Sequence, residues 1–517
     1  MVVWALLACG SSIPPADRVV RGELWDGDGH RPAAVVIADG KILAVDDDGS
    51  EWIGPDTVVT EVPRITAGFV DAHGHPTGLG RKLVQLDVTG LPTLEATLDR
   101  VRTAPGEGWI VGRGWDQNDW SDTAGAWPTA AQLDAVSNGR PAALRRVDGH
   151  AVWVNTAALE SAGITAATAD PPGGEILRDA HGAPLGVLVD EAMALVPTPE
   201  PTAAELEDQA LQGTKAARAA GLVGVHVMGA SDANLAAYQA LARREALPIR
   251  LWVYVSPDTD AAKTLMETGP FGEGRVQVVG VKAFADGALG SRGAWLSADY
   301  SDRPGHRGTP IQSEQDLAGL ATRLVAQGAQ LAVHAIGDAG VHATLDAFAE
   351  ARAAHPDATV RLRVEHAQVV APADVPRFAA LNAIASMQPT HATSDMPWAE
   401  ARLGPDRIAW AYAWRTLEEA GAHVCFGSDF PVESHEPALG VHAAVTRTDA
   451  VGQPVGGWFP DQRFSESETV RAFTERAAYA VHAEGEVGAV AVGLPADLTL
   501  WTDDWTPVGT LVEGRDD

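Results

Sequence analysis

Residues 66–76 read TAGFVDAHGHP, a mostly apolar run that ends in two histidines, His73 and His75, with one glycine between them. Phe69 to Ala72 have the character of a short buried strand. On a strand side chains alternate with period two, so His73 and His75 are expected to project to the same side. Two imidazoles on one side can share a metal ion. Taken alone, an HxH pair is more often a loop histidine beside a capping one. It acquires meaning only if distant residues supply further ligands.

Further along the chain the same pattern recurs, an apolar run closed by a polar residue. Lys282 follows VQVVGV, His334 follows LAV, His366 follows RLRVE and Asp429 follows VCFGS. Between these runs lie alanine-rich amphipathic stretches such as DLAGLATRLVAQG (316–328) and GVHATLDAFAEARAAH (340–355). Strand followed by helix, repeated, implies parallel strands with helical crossovers, the α/β class. The number of units favours a closed (β/α)8 TIM-like barrel over an open sheet. In such a barrel all strand C-termini face one mouth, which would gather His73, His75, Lys282, His334, His366 and Asp429. Singly, each has an ordinary explanation as a salt-bridging lysine, a hydrogen-bonded histidine or a turn aspartate. Jointly, each at a strand end, they form a nitrogen and oxygen donor set suited to zinc or a similar divalent ion.

The flanks differ from this centre. Residues 18–66 alternate short β-rich runs with Asp-Gly turn signals, and 485–517 have the same texture, so both termini are expected to form one small β-sandwich. The barrel then occupies 67–484. Residues of about 90–200 are too irregular for barrel units, and are read as an insertion covering the barrel mouth.

A chain of 517 residues with 46% hydrophobic content can build such an assembly. Its formal charge of −31 repels phosphate backbones and anionic lipid, which argues against nucleic-acid or polybasic membrane partners, and the acidity itself is read as a solvated face. With only Cys9 and Cys425, neither a disulfide framework nor a cysteine zinc cluster can form. The start, MVVWALLACGSS, resembles the end of a bacterial lipoprotein signal with Cys9 as the lipidated residue, although the apolar run is short and no Lys or Arg precedes it. Residues 1–17 are therefore expected to be a signal or tether. The expected location is the periplasm or a lipid-anchored position, with the cytoplasm as the alternative. Oligomeric state is not encoded in any feature of this kind.

Several segments together resemble the amidohydrolase superfamily, in its amidohydrolase-3 branch, which includes N-substituted formamide deformylases. They are GFVDAHGH, GRGWDQNDW, RRVDGHAVWVNTAAL, VKAFADGALGSRGAWL, VHAIGDAG, RVEHAQ, SMQPTHATSDMPWAEARLG, FGSDFPVE and AFTERAAYAVHAEGEVGAVAVGLPADL. The resemblance implies a distorted barrel carrying a β-sandwich, and metal-dependent hydrolysis of amide-type carbon–nitrogen bonds. It further implies one or two metal ions: His73 and His75 on the more buried one with Asp429, His334 and His366 on the second, and Lys282 bridging them as an N6-carboxylated side chain. Asp429 would pass a proton from water to the leaving nitrogen, with His334 or His366 steadying the oxyanion. Trp115, Asp116, Arg292 and His391 are the expected substrate contacts. The alternatives are a deaminase of a cyclic or aryl amine on the same scaffold, and a non-catalytic binding protein.

Overall fold

In the computed structural model, residues 15–516 are described apart from 27–28, 118, 147–150 and 172–173. Cys9 and the expected signal around it lie outside the described residues. Among those residues no helix is long and apolar enough to cross a membrane.

Eight strands form one parallel sheet: β1 (Phe69–Gly74), β2 (Leu222–Ala230), β3 (Arg250–Val255), β4 (Val276–Phe284), β5 (Gln330–Ala335), β6 (Leu362–His366), β7 (Ala383–Met387) and β8 (His423–Phe426). Each pairs in parallel with the next in chain order. Beyond its last strand residue, β8 returns to β1. Asp429 N–H donates to the His73 carbonyl at 2.7 Å, His75 N–H donates to Phe430 at 2.8 Å, and Gly74 and Phe430 form a parallel bridge. The eight strands thereby close on themselves as a TIM-like barrel.

Local chemistry explains the alternation. Helices Asp232–Arg243, Asp260–Thr268 and Glu314–Ala326 each follow a Ser or Thr whose side chain accepts a first-turn N–H, at Ser231, Thr259 and Ser313. Their apolar stripes, such as Leu317, Leu320, Ala321 and Leu324, are buried in the cluster that includes Val278, Val281, Leu331 and Val333 from the strands. A separate cluster joins Val70, Ala72, Met228, Trp252, Tyr254, Ala332, Ile384 and Cys425, contributed by six of the eight strands, as expected for side chains filling a barrel interior.

Both chain ends meet in one continuous six-stranded sheet. Its strands run in the order Pro507–Leu511, Leu498–Trp501, Val58–Ala67, Arg18–Asp26, Gly29–Ala38, Lys41–Asp46. Alternate residues of this sheet are buried on opposite faces: Val20, Val35, Ile37 and Leu498 on one, Val19, Ala34 and Val36 with Trp52 on the other. The strand Val58–Ala67 continues through Gly68 straight into β1. Gly68 N–H donates to Asp497, and Phe69 N–H to the Thr499 hydroxyl, so the terminal sheet anchors the strand that carries the histidine pair.

Residues 80–205 form a compact unit of their own. Its turns join six short strands in the order Gly174–Arg178, Pro184–Asp190, Ala151–Val154, Ala142–Arg146, Ile110–Trp115, Leu86–Asp87. Trp115, Trp120 and Trp153 pack with Leu133 and Leu144 in its core.

Candidate metal centre

β1 ends at Gly74, and His75, the next residue, continues the pairing by donating its N–H to the Phe430 carbonyl at 2.8 Å. The two rings meet edge to face with centroids 5.6 Å apart. The intervening glycine is required by close approach, because a Cβ at Gly74 would stand 2.5 Å from the Phe430 ring.

Around this pair the barrel mouth encloses a 440 Å³ cavity. All six expected ligands line it: His73, His75, Lys282, His334, His366 and Asp429. One ligand atom each from His73, His366 and Asp429 lies within 4.8 Å of the others. His75 Nε2 is 3.0 Å from Asp429 Oδ1, and His73 Nε2 is 3.5 Å from the same oxygen. The His334 ring stands 4.5 Å from that of His366, with its Nε2 3.5 Å from the Gly287 carbonyl. The expected contact His391 is also at the cavity. Its ring stacks 5.8 Å from His366, and its Nε2, 3.8 Å from Asp429 Oδ2, has no hydrogen-bond partner among the described residues.

Arg292 makes a two-pronged ion pair with Asp302 at 3.1 and 2.8 Å and is not among the cavity-lining residues. In the 80–205 unit, the Trp115 ring is fully buried with its Nε1–H donating to Leu144, and Asp116 pairs with Arg146 at 2.6 Å.

Electrostatics favour ligands over charges here. Burial, and then the Lys282 charge, bring His73 down to about 4 against the pull of Asp429 and Glu365. His334 falls to about 3 from burial and Lys282, and His366 lies well below its ordinary value from burial and the neighbouring histidines. These imidazoles are neutral at pH 7 and offer lone pairs. Burial works against ionisation of Asp429, yet the histidines around it and the hydrogen bond from His75 hold it well below the carboxylate range. Lys282 is lowered to about 8 by burial, opposed by Glu365 and Asp429, and its Nζ has no hydrogen-bond partner among the described residues.

Three of the rings have their second nitrogen occupied. Nδ1 of His73 contacts Glu365 at 2.7 Å, Nδ1 of His75 the Met228 carbonyl at 2.9 Å, and Nδ1 of His366 the Gln388 side-chain oxygen at 2.8 Å. Neutral His73 and His366, each tethered at Nδ1, and the ionised carboxylate of Asp429 together fit a divalent metal ion.

Residues not anticipated from the sequence complete the surroundings. Asp71 accepts the N–H groups of His73 and Ser428 and the Ser428 hydroxyl, lashing the β1 end to the β8 loop; burial lifts it to about 6. Phe284, Leu289, Ile336 and Trp398 give the cavity an apolar wall. The one signal that could have revealed the buried Glu365 was the charge pair Arg363 and Glu365 within RLRVEH, a run that otherwise reads as core.

Residues 64–509 match the amidohydrolase family. The YtcJ protein of Bacillus subtilis is 33% identical, over 92% of this chain and 92% of its own. The N-substituted formamide deformylase of Arthrobacter pascens is 27% identical, over 91% and 90%. A solved structure from Pyrococcus furiosus, described as an uncharacterized metal-dependent hydrolase, superposes with a TM-score of 0.79 at 26% identity. It covers 94% of this chain and 99% of that one. Every expected ligand lies within the matched residues, and the chain belongs to the amidohydrolase family.

Proposed function

We propose that this protein hydrolyses an amide-type carbon–nitrogen bond, of the N-acyl or N-formyl amine kind, in a small molecule, using one or two divalent ions, zinc foremost. The observation that carries the reading is the convergence of neutral His73, neutral His366 and ionised Asp429 within 4.8 Å at the mouth of the barrel. The bond type is drawn from the Arthrobacter relative, whose name specifies N-substituted formamides.

His73, His75, His334, His366 and Asp429 would hold the metal, and N6-carboxylated Lys282 would join them. When bound, the ion supplies Lewis acidity and a water of lowered pKa. Asp429 would take up a proton from water and return it to the departing nitrogen, since an amine anion is too basic to leave unprotonated. His391, beside Asp429 and stacked on His366, would meet the substrate oxygen. Phe284, Leu289, Ile336 and Trp398 offer an apolar surface for the amine substituent and exclude bulk water.

The test is metal analysis of the purified protein together with a screen of N-formyl and N-acyl amines. Acid and amine released in equal amounts, dependent on metal, is the expected result. Ammonia without an acid product would replace the hydrolase with a deaminase. A metal-loaded protein that turns over neither class would point to a binding protein.

A further inference from the structure

Arg363 and Glu365 are fully buried on β6, two residues apart, inside the barrel. The guanidinium donates to both oxygens of Glu365 (Nε at 2.8 Å, Nη2 at 3.1 Å), to His226 Nδ1 at 2.8 Å, to the Tyr254 hydroxyl at 3.2 Å, to the Ala72 carbonyl at 2.7 Å and to the Ser386 hydroxyl at 3.0 Å. From β6 it therefore reaches β1, β2, β3 and β7. Such a pair is expensive to bury, and well-packed apolar residues in its place are commonly neutral or stabilising. Barrel stability alone gives a weak reason for it.

Its contacts with β1 suggest another reason. Arg363 holds the backbone at Ala72, and the carboxylate it steadies holds the ring of the next residue, through Glu365 Oε2 and His73 Nδ1 at 2.7 Å. A carboxylate acceptor requires the proton on Nδ1, which leaves the Nε2 lone pair facing Asp429. Of the three histidines tethered through Nδ1, His73 alone is backed by a charge, since His75 and His366 meet a carbonyl and an amide oxygen. A charged partner fixes the tautomer and makes the ring a stronger donor.

We propose that Glu365, held in place by Arg363, is the positioning residue that makes His73 a metal ligand. This rests on the metal-dependent reading of the site. The experiment is Co²⁺ and Zn²⁺ titration of metal-stripped full-length protein, with melting curves and the visible Co²⁺ spectrum as independent readouts. Glu365→Gln keeps an acceptor without the charge, and the Arg363→Met/Glu365→Leu double variant removes both charges and keeps bulk. Both are expected to stay folded, bind metal about 10–100-fold more weakly and show an altered Co²⁺ spectrum. Folded variants with wild-type metal affinity and spectrum would overturn the positioning role, even if they melt earlier. ¹⁵N-histidine spectra of the wild type provide a measurement that needs no stable variant at these two positions. The His73 signal, assigned by its loss in His73→Ala, should carry its proton on Nδ1 and shift at Nε2 on loading; the reverse assignment overturns the proposal. A wild type that binds no divalent ion would instead defeat the underlying reading of the site.

Discussion

Asp429 donates its backbone N–H to the carbonyl of His73 across 2.7 Å, and the same two residues bring a carboxylate oxygen within 3.5 Å of an imidazole nitrogen. The peptide contact that closes the barrel is thus also the one that sets the spacing of two ligands. Distortion of the closure should register at the metal before it unfolds the protein.

Gly427→Ala tests this link. A Cβ there would stand 2.5 Å from the His73 nitrogen and 2.7 Å from Asp71 Oδ1, which leaves backbone to move. Overpacking of this kind costs ~1–3 kcal/mol. The expected outcome is a lowered melting temperature with metal affinity reduced more than in a control such as Gly319→Ala, a helical glycine whose added Cβ meets nothing within 4 Å. Equal metal affinity in both variants would uncouple closure from the site.

Asp429→Asn should reduce kcat by at least about 10²-fold, the scale for losing a general acid/base, with a smaller effect on substrate binding. The amide cannot take up a proton from water and binds metal more weakly than a carboxylate. A near-normal kcat at full metal loading would remove Asp429 from the proton path.

For Lys282→Ala the expected change is in stoichiometry. If the buried Nζ carries CO₂ and bridges two ions, metal content should fall towards one, with partial recovery on adding short carboxylic acids. In wild type, ¹³CO₂ should give a carbamate carbon signal in the metal-loaded protein. Unchanged metal content together with no such signal would leave Lys282 unmodified.

Metal-free protein should lose stability on acidification. His73 and His423 (each about 4), His334 (about 3), and His226 and His366 (well below) are all depressed in the folded state from about 6.5. Below that pH the unfolded chain binds protons the folded one refuses, so stability falls as pH drops from about 6.5 through 4. Asp71, raised to about 6, and Asp286, raised to about 7 by burial, act with the opposite sign in the same window and offset part of the loss. Below about pH 4 the depressed Asp429 and Glu365 add to it. Melting temperatures at pH 7, 5.5 and 4 should decline throughout; a flat or rising profile would show that the histidines are not held neutral.

The barrel was legible because its strands are buried on both faces and so read as continuous apolar runs, each ligand being a polar residue at or near the C-terminal end of such a run. The Arg363–Glu365 pair was not, because R-L-R-V-E alternates like a strand with one wet face. In a closed barrel the second face is the interior, and alternation there means a polar core. Arg292 looked free for substrate because nothing local shows that the loop folds back to bring Asp302 against it.

Because Leu498–Trp501 pairs with Val58–Ala67 and the latter runs directly into β1, the bracing of β1 is complete only once both have been synthesised. The histidine pair leaves the ribosome well before the strand Leu498–Trp501 that helps to brace it. A premature stop ahead of Leu498, or a fusion that strains Leu498–Leu511, would reach the metal centre from the far end of the polypeptide without altering a single ligand.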